Sequence, residues 1–529
     1  MTKFKKDQPF LTEDFSPEGG GIDFLGLRQV NLHILENYLL PGINNQTNDP
    51  GTYCIGTWIP WKFRKICESS PENYNDENFK KFKEKVEVIM SYSMEKETKG
   101  SLKFGMANNR IGVTQKLKFP QELEYAKSKR TDATSIYAAP LYGPSLKYLG
   151  FLHSSNALDA EGKQTRVLVA QEDDEIEKLC SGLDQLIQNH QLSSKLYSLS
   201  DEVFQESEVD QLGEVGIHPG FFRTMPSNYK EIFQGRLLAE DEGTEGYIRN
   251  QSYKILKTIL TSNPDITSDQ IRDIFLVRTN LDGSKIELDG DLKNHLDLWF
   301  IFGLRQYQRY CLELFRQAFE EKVTDGSNRI DLITDEILKD EFFNGVHSFE
   351  ELMLRETGGQ NLEEVIRSWS GEIKPGDEKF IGEIRKGKDV SYIKGVKILL
   401  RWWLRLNNYL IENENDEVLA LGSIDRVSQS FLNKWIKDRL NISLKEFISD
   451  LLSTFVFSQH LRVSLSRFDG KVQRMRFVLD DHGIVPSSSV GKKIADNLIP
   501  WMADRLECFL ILLKEIDVLE LDQEKWKLK

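Results

Sequence analysis

One stretch of the sequence, residues 292–322, constrains the fold more than any other. Its apolar side chains surround almost the whole cylinder of the helix that their spacing predicts; they include Leu296, Trp299, Phe300, Phe302, Leu304, Tyr307, Leu312 and Phe315. A helix that is apolar nearly all round is buried on every side. The stretch therefore predicts the central helix of a bundle. Residues 390–411, with Trp402 and Trp403 at their middle, predict a second buried helix.

Most of the remaining chain also has the apolar spacing of helices, so we predict a mainly α, multi-domain protein. A chain of 529 residues is too long for one ordinary core. We place an N-terminal helical domain at 1–165, a central helical domain at 166–375 and a C-terminal helical domain at 376–529. Residues 370–389 are polar and contain glycine, which is typical of a linker.

The clearest β signal lies at residues 460–479, where alternating apolar residues flank the Asp469-Gly470 turn. This pattern predicts a small β-hairpin near residues 459–480. The predicted hairpin carries a basic face made of Arg462, Lys471, Arg474 and Arg476. Such a ribbon can contact a nucleic-acid backbone. The alternative is an ordinary half-buried hairpin with a solvated basic face, which the following acidic pair, Asp480-Asp481, partly neutralises.

A polar loop follows the Pro41-Gly42 break, which ends the helix predicted at residues 22–40. Its side chains are amides and a hydroxyl: Asn44, Asn45, Gln46 and Thr47. They could present hydrogen-bond donors and acceptors to a ligand or a partner. They could instead cap the backbone groups that the break leaves open, and we favour this structural interpretation. In the segment that follows, we expect Trp58 and Trp61 to be core residues.

The bulk composition argues against several classes of protein. A net charge of −14 repels phosphate and argues against a general coat for nucleic acid. The five cysteines are scattered and odd in number, which favours free thiols in a reducing compartment. No apolar run approaches the ~20 residues that a membrane helix needs, and residues 1–7 do not resemble a signal peptide. We therefore expect a cytoplasmic protein without a membrane partner.

The sequence carries no motif from which catalytic or metal-binding residues can be named. No Cys-x-x-Cys, His-x-x-x-His or His-Glu-x-x-His spacing occurs, so no catalytic residue, metal or cofactor is assigned. We favour a protein without catalytic activity. An enzyme stays open as an alternative, namely a nuclease or other hydrolase whose acidic residues meet only in three dimensions.

A second alternative is a DNA-binding regulator built on a winged-helix unit near residues 135–152. This segment is rich in tyrosine and small residues, and Gly150 is placed to close a helix with the apolar Phe151 beyond it. Helix-turn-helix modules often end in this way. Many helical domains that touch no DNA share the same ending.

Three segments stand out together: LLPGINNQTNDPGTYCIGTWIPW at 39–61, SIYAAPLYGPSLKYLGFL at 135–152, and a tail that contains RMRFVLDDHGIVP and IPWMADRLECFLILLKEI at 474–516. In the tail, Pro500, Asp504, Arg505 and Leu506 approximate a "Pro-x-x-Asp-Arg-Leu" pattern. With these segments the chain resembles a loose group of uncharacterised bacterial proteins encoded in anti-phage defence islands, beside large helicases, other ATPases or nucleases. Multi-gene systems such as Druantia or DISARM are settings of this kind.

The resemblance implies a setting and partners, but it carries over no catalytic residues. We therefore expect an accessory or scaffold subunit of a bacterial anti-phage system that acts with a helicase, an ATPase or a nuclease. Contact with nucleic acid through the basic hairpin at 460–476 is the further expectation.

Overall fold

A computed structural model describes most of the chain, and its contacts divide the chain into two compact units. Unit 1 comprises residues 1–35 and 269–502, and unit 2 comprises residues 36–268 and 503–529. The residues that the structure describes are 23–45, 47–97, 122–124, 135–137, 142–158, 164–200, 202–217, 222, 227–339, 361–368, 399, 427–466, 468, 475–487 and 503–529.

Helices dominate both units. In chain order they are α1 (Leu27–Ile34), α2 (Pro50–Cys67), α3 (Asp76–Glu97), α4 (Tyr142–Tyr148), α5 (Asp174–Gln188), α6 (Ser193–Tyr197), α7 (Glu206–Glu214), α8 (Ser227–Leu237), α9 (Glu245–Ser262), α10 (Ser268–Val277), α11 (Gly290–Thr324), α12 (Ile330–Lys339), α13 (Leu362–Ser368), α14 (Gln429–Lys437), α15 (Leu444–Leu451), α16 (Gln459–Ser466) and α17 (Leu506–Glu515). π-Helical segments follow α1 at Leu35–Leu39 and join α15 to α16 at Leu452–Ser458. The prediction of a mainly α protein is confirmed.

The strands form small two-stranded antiparallel sheets. They are β1 (Glu122–Glu124), β2 (Leu152–Leu158), β3 (Gln164–Ala170), β4 (Val203–Gln205), β5 (Phe477–Asp480), β6 (Gly483–Pro486), β7 (Leu519–Asp522) and β8 (Lys525–Leu528). The pairs are β1 with β4, β2 with β3, β5 with β6, and β7 with β8.

Local sequence signals account for many helix boundaries. The side chains of Asp173 and Thr244 accept hydrogen bonds from backbone N–H groups in the first turns of α5 and α9, as N-cap residues do. Gly150, at φ 71°, ends α4. The N–H of Phe151 donates to Leu146 O at 2.9 Å and the N–H of Gly150 donates to Lys147 O at 3.0 Å, which is a Schellman ending. The predicted glycine cap is therefore confirmed.

The core of unit 1 is built around α11, which extends the helix predicted at 292–322. Apolar residues of this helix pack with α12, with the π-helical segment Leu452–Ser458 and with β6. The ring of Phe319 lies 5.0 Å from that of Phe477 and 6.2 Å from that of Phe457, between centroids. The predicted central helix is confirmed. The second predicted buried helix, at 390–411, lies outside the described residues except for the buried Leu399.

One side of α11 is charged and nevertheless buried. Its ionisable residues are Arg305, Arg309, Glu313, Arg316 and Glu320. Arg316 lies between two carboxylates, 2.6 Å from Glu313 Oε2 and 2.7 Å from Glu320 Oε1. The guanidinium of Arg476 reaches the same Glu320 oxygen at 2.9 Å. Buried charges need partners, and these ion pairs provide them for Glu313, Arg316 and Glu320.

Unit 2 is organised around α2, which packs against α3, α4, α5 and β3. The centroid of the Tyr53 ring lies 5.0 Å from that of Tyr142 and 5.4 Å from that of Phe233.

The sequence did not predict the C-terminal hairpin β7–β8. Trp526 anchors this hairpin: its side chain is buried, its N–H donates to Ile266 O at 2.8 Å, and its Nε1 donates to Ser268 Oγ at 2.9 Å.

The hairpin predicted at 460–479 is wrong in its first strand. Residues 459–466 form α16, which continues the helix that begins at Leu444. The strands of the actual hairpin are β5 and β6, joined at Asp481-His482, so the hairpin lies further along the chain. The predicted division at 1–165, 166–375 and 376–529 stays a prediction; each of the two compact units joins segments that are distant in sequence.

Among the described residues, no helix combines the length and apolar character needed to cross a membrane.

Candidate functional site

The candidate site is a cleft of about 810 Å³ in unit 2 that opens to solvent. One wall is the C-terminal end of α2, which contributes Arg64, Cys67 and Glu68. Residues three and four apart lie on one face of a helix, so these three side chains share a face. Pro71 and Tyr74, in the turn that follows α2, extend this wall.

A neighbouring face of α2 is held in the core of unit 2 by contacts with α5. Trp58 Nε1 donates to Asp184 Oδ1 at 3.3 Å, and Lys62 Nζ lies 2.9 Å from Asp184 Oδ2. Trp61 Nε1 donates to Glu177 Oε2 at 2.7 Å. Both tryptophans are buried, as predicted. These contacts with α5 fix the rotation of α2 and thereby direct Arg64 and Cys67 toward the cleft.

The second wall is one face of the β2–β3 hairpin. His153 and Ser155 of β2 line the cleft, as does Val169 of β3, the residue paired with His153. Ser154 lies between them in sequence and on the other face, where its Oγ accepts a hydrogen bond from Lys147 Nζ at 2.7 Å. Gln171 and Glu172, directly after β3, complete the lining.

An ion pair joins the two walls. Arg64 NH1 contacts Glu172 Oε1 in a charge-assisted hydrogen bond. The Glu172 side chain nevertheless keeps 70% of its surface exposed, and Glu68 keeps 60%. Lys65 Nζ lies 3.6 Å from Glu68 Oε1 and 3.8 Å from Glu177 Oε1. The lining itself holds two carboxylates and one guanidinium, so it carries an excess of negative charge.

Tyr74 and Cys67 supply neutral hydrogen-bond donors to the cleft. The Tyr74 ring stacks on Phe63, with centroids 5.4 Å apart and planes 24° apart, and 39% of the residue is exposed. Desolvation raises the pKa of the Tyr74 hydroxyl. Desolvation also raises the pKa of the Cys67 thiol, and the charge of Glu72 adds to this effect. Both groups are therefore protonated at neutral pH, and Cys67 lacks the thiolate that nucleophilic chemistry requires.

The polar loop predicted from sequence is tied mainly to its own segment. The backbone N–H of Asn44 donates to Thr47 Oγ1 at 3.0 Å, and Tyr53 OH donates to Thr47 O at 3.3 Å. Thr47 is buried and Asn45 is exposed, whereas Gln46 lies outside the described residues. These contacts favour the structural interpretation of the loop. Binding of a ligand or partner by Asn44, Asn45, Gln46 and Thr47 stays a prediction.

The break before this loop is held by distant side chains. Arg249 NH1 donates to Pro41 O at 2.8 Å, and Ser252 Oγ donates to Leu39 O at 3.0 Å. Ser145 Oγ donates to Gly42 O. Gly42 has φ +72°, and a Cβ at this position would overlap the Cβ of Tyr148. The Pro-Gly break is thus a packing centre of unit 2.

The predicted basic ribbon does not exist in the predicted form. Arg462 is exposed on a helix, α16, and Arg476 precedes β5 with its guanidinium paired to Glu320. Arg462 therefore lies on a helix and Arg476 lies just outside a strand, so the two residues do not share the face of a β-ribbon. Lys471 and Arg474 lie outside the described residues. Binding of nucleic acid by the four residues stays a prediction.

The sequence left two alternatives, a hydrolase whose acidic residues meet in three dimensions and a winged-helix regulator. Within the described part of the chain, no group of three or more histidine, cysteine or acidic residues is arranged to hold a metal ion. A helix followed directly by a β-hairpin, as in α4 and β2–β3, is one part of a winged-helix unit. However, most of α4 is buried, and β1 pairs with β4 and not with this hairpin.

The sequence did not predict the cleft, because its walls come from residues 64–74 and 153–172. The short apolar run Val167–Ala170, which contains two β-branched residues, was the available signal for β3. Comparison of the chain with protein-family models, curated proteins and solved structures gave no match.

Proposed function

We propose that this chain is a partner-binding subunit and that the cleft of unit 2 receives a segment of its partner protein. The resemblance of three sequence segments to defence-island proteins supports the setting, a bacterial anti-phage assembly that contains a helicase, an ATPase or a nuclease. In that setting the chain is an accessory or scaffold subunit. Its five cysteines are buried free thiols, which supports a reducing compartment such as the cytoplasm.

The observation that carries the proposal is the open cleft itself. A volume of about 810 Å³ is ample for several side chains of a bound peptide. Its lining offers a serine hydroxyl, a tyrosine, an imidazole and exposed carboxylates. Such a lining can form hydrogen bonds with a polar segment that lies along the hairpin face.

Protonation of the lining further supports binding over nucleophilic chemistry. Desolvation raises the pKa values of the Cys67 thiol and the Tyr74 hydroxyl. A nucleophilic cysteine needs the reverse shift, toward the thiolate. At neutral pH both groups therefore serve the cleft as hydrogen-bond donors.

The test is a pair of substitutions at neighbouring positions of β2. Ser155→Trp fills the cleft, whereas Ser154→Trp places the same side chain on the other face of the hairpin. The chain should be co-expressed with the tagged products of its neighbouring genes. We expect Ser155→Trp to lose the partner that wild type and Ser154→Trp retain at equal yield. Equal retention by both variants, with both folded by circular dichroism, would exclude the cleft as the binding surface.

A further inference from the structure

We infer that the cleft recognises a cationic side chain, a lysine or an arginine of the bound segment, between the ring of Tyr74 and the carboxylates of Glu68 and Glu172. This inference rests on the proposed function and specifies the chemistry of the partner. It identifies the group that the cleft selects, whereas the proposed function concerns only where the partner binds.

The charged side chains of the cleft favour a cation. Two carboxylates and one guanidinium line the cleft, and the whole chain has a net charge of −14. The guanidinium, Arg64, is already paired with Glu172. Lys65 lies beside both Glu68 and Glu177, so three carboxylates share two cations and an excess of one negative charge remains. An incoming anion would have to break these pairs, whereas an incoming cation meets the Glu68 and Glu172 side chains, which are 60% and 70% exposed. The field of the cleft therefore favours a cation.

The exposed ring of Tyr74 also favours a cation. Phe63 supports the Tyr74 ring by stacking, which holds the ring in place while part of it stays open to solvent. Because desolvation raises the pKa of the hydroxyl, the ring is a neutral phenol at neutral pH. A rigid aromatic face near carboxylates attracts ammonium and guanidinium groups through its quadrupole.

The same chain uses this arrangement in its own packing. Lys62 Nζ lies 3.9 Å from the centroid of the Tyr197 ring and 2.9 Å from an Asp184 oxygen. The Arg439 guanidinium lies 4.2 Å from the Trp435 ring, and its Nε lies 2.8 Å from an Asp450 oxygen. In both places a ring and a carboxylate hold a cation of the chain. Tyr74 and Glu68 both line the open cleft, where a cation of a partner can take the corresponding place.

The experiment uses the full chain and two fluorescein-labelled peptides, hexalysine and hexaglutamate, with binding followed by fluorescence anisotropy at low salt. We expect hexalysine to bind and hexaglutamate not to bind. Glu172→Lys should weaken hexalysine binding about tenfold, the effect of ~1.4 kcal/mol. Glu520→Lys is the matched control: it changes the net charge equally, at an exposed position of β7, and should weaken binding less than about twofold.

A second set of variants separates the ring from its packing. Tyr74→Phe keeps an aromatic face and should bind hexalysine as wild type does. Tyr74→Leu keeps an apolar contact with Phe63 but has no π-face, and it should bind about threefold to fivefold more weakly. Thermal unfolding of the variants checks that they are folded.

Equal weakening by Glu172→Lys and Glu520→Lys would overturn the inference, because hexalysine binding would then depend only on net charge. Equal binding by Tyr74→Leu and Tyr74→Phe would also overturn it, because the π-face of the ring would then contribute nothing. Loss of the natural partner in Ser155→Trp alongside that result would leave the proposed function in place. Partner binding that is intact in Ser155→Trp would instead remove the proposed function.

Discussion

At the scale of single residues, buried cations of unit 2 donate hydrogen bonds to backbone carbonyl groups. Arg249 is the clearest of them. Its guanidinium donates to Leu237 O at 2.8 Å, to Pro41 O at 2.8 Å and to Arg236 O at 3.0 Å. Desolvation lowers its pKa to about 10, so it keeps its charge at neutral pH. The carbonyl group of Pro41, at the break in the helix, thus accepts its hydrogen bond from a residue about two hundred positions away.

Arg249→Met should destabilise unit 2 by about 3–5 kcal/mol, because it leaves buried carbonyl groups without donors. Urea denaturation followed by tryptophan fluorescence measures the change. The control is Lys254→Met, which removes a cation from the same helix at an exposed ion pair with Glu240. That control should change stability by less than about 1 kcal/mol. Similar losses in the two variants would show that the carbonyl contacts of Arg249 are unimportant.

Two buried histidines of unit 1 should make its stability depend on pH. Desolvation lowers the pKa of His460 to about 4 and that of His295 to about 3. In the unfolded chain both titrate near pH 6.5. Between these values the unfolded state binds more protons than the folded state, so stability falls as the pH falls below about 6.5.

The expected loss is about 2 kcal/mol per histidine between about pH 7 and pH 5. His460 Nε2 accepts the N–H of Arg476 at 2.9 Å, so His460→Gln keeps an acceptor while removing the titration. Urea midpoints of wild type and this variant at the two pH values give the test. A variant that loses as much stability as wild type on acidification would refute the assignment.

At the scale of elements, two glycines with positive φ differ in whether their neighbours leave room for a Cβ. Gly42 has φ +72° and no room for a Cβ against Tyr148, whereas Gly283 has φ +86° and open space. Both substitutions to alanine force the left-handed conformation on a residue with a Cβ, at a cost of about 1 kcal/mol or more. Only at position 42 does a steric overlap add to that cost.

We therefore predict that Gly42→Ala destabilises the protein by about 3 kcal/mol or more and Gly283→Ala by about 1 kcal/mol. Differential scanning calorimetry of the two variants, beside wild type, measures the difference. Equal shifts in melting temperature would show that the close approach of Tyr148 plays no part.

The sequence predicted elements well where apolar spacing was long and regular. The helix predicted at 292–322 became α11, and Gly150 ended a helix as its position indicated. The first strand of the hairpin predicted at 460–479 failed although its apolar residues alternate: in α16 His460, Val463 and Ser464 are buried, whereas Leu465 is 57% exposed. Tertiary contacts decided for the helix: Gln459 Nε2 donates to Leu25 O at 3.1 Å, and the His460 ring packs 4.6 Å from Phe477.

At the scale of the whole molecule, the chain forms two compact units, each assembled from segments that lie far apart in sequence. The cleft lies within the continuous segment 36–268, and it was beyond prediction because its two walls meet only through long-range contacts. Arg64 and Glu172 form its ion pair across 108 positions, and no local pattern encodes such a pairing. The pairing of Arg476 with Glu320 was hidden for the same reason, since it spans 156 positions.

Hydrogen–deuterium exchange of the chain with and without its partner shows whether the partner binds in the cleft. We expect slower exchange in the partner's presence at residues 60–75 and 150–172, which contain both walls. Residues 506–528, in the same unit but outside the cleft lining, should exchange at an unchanged rate. Slower exchange confined to residues 459–486, with the cleft unaffected, would show that the partner does not bind in the cleft.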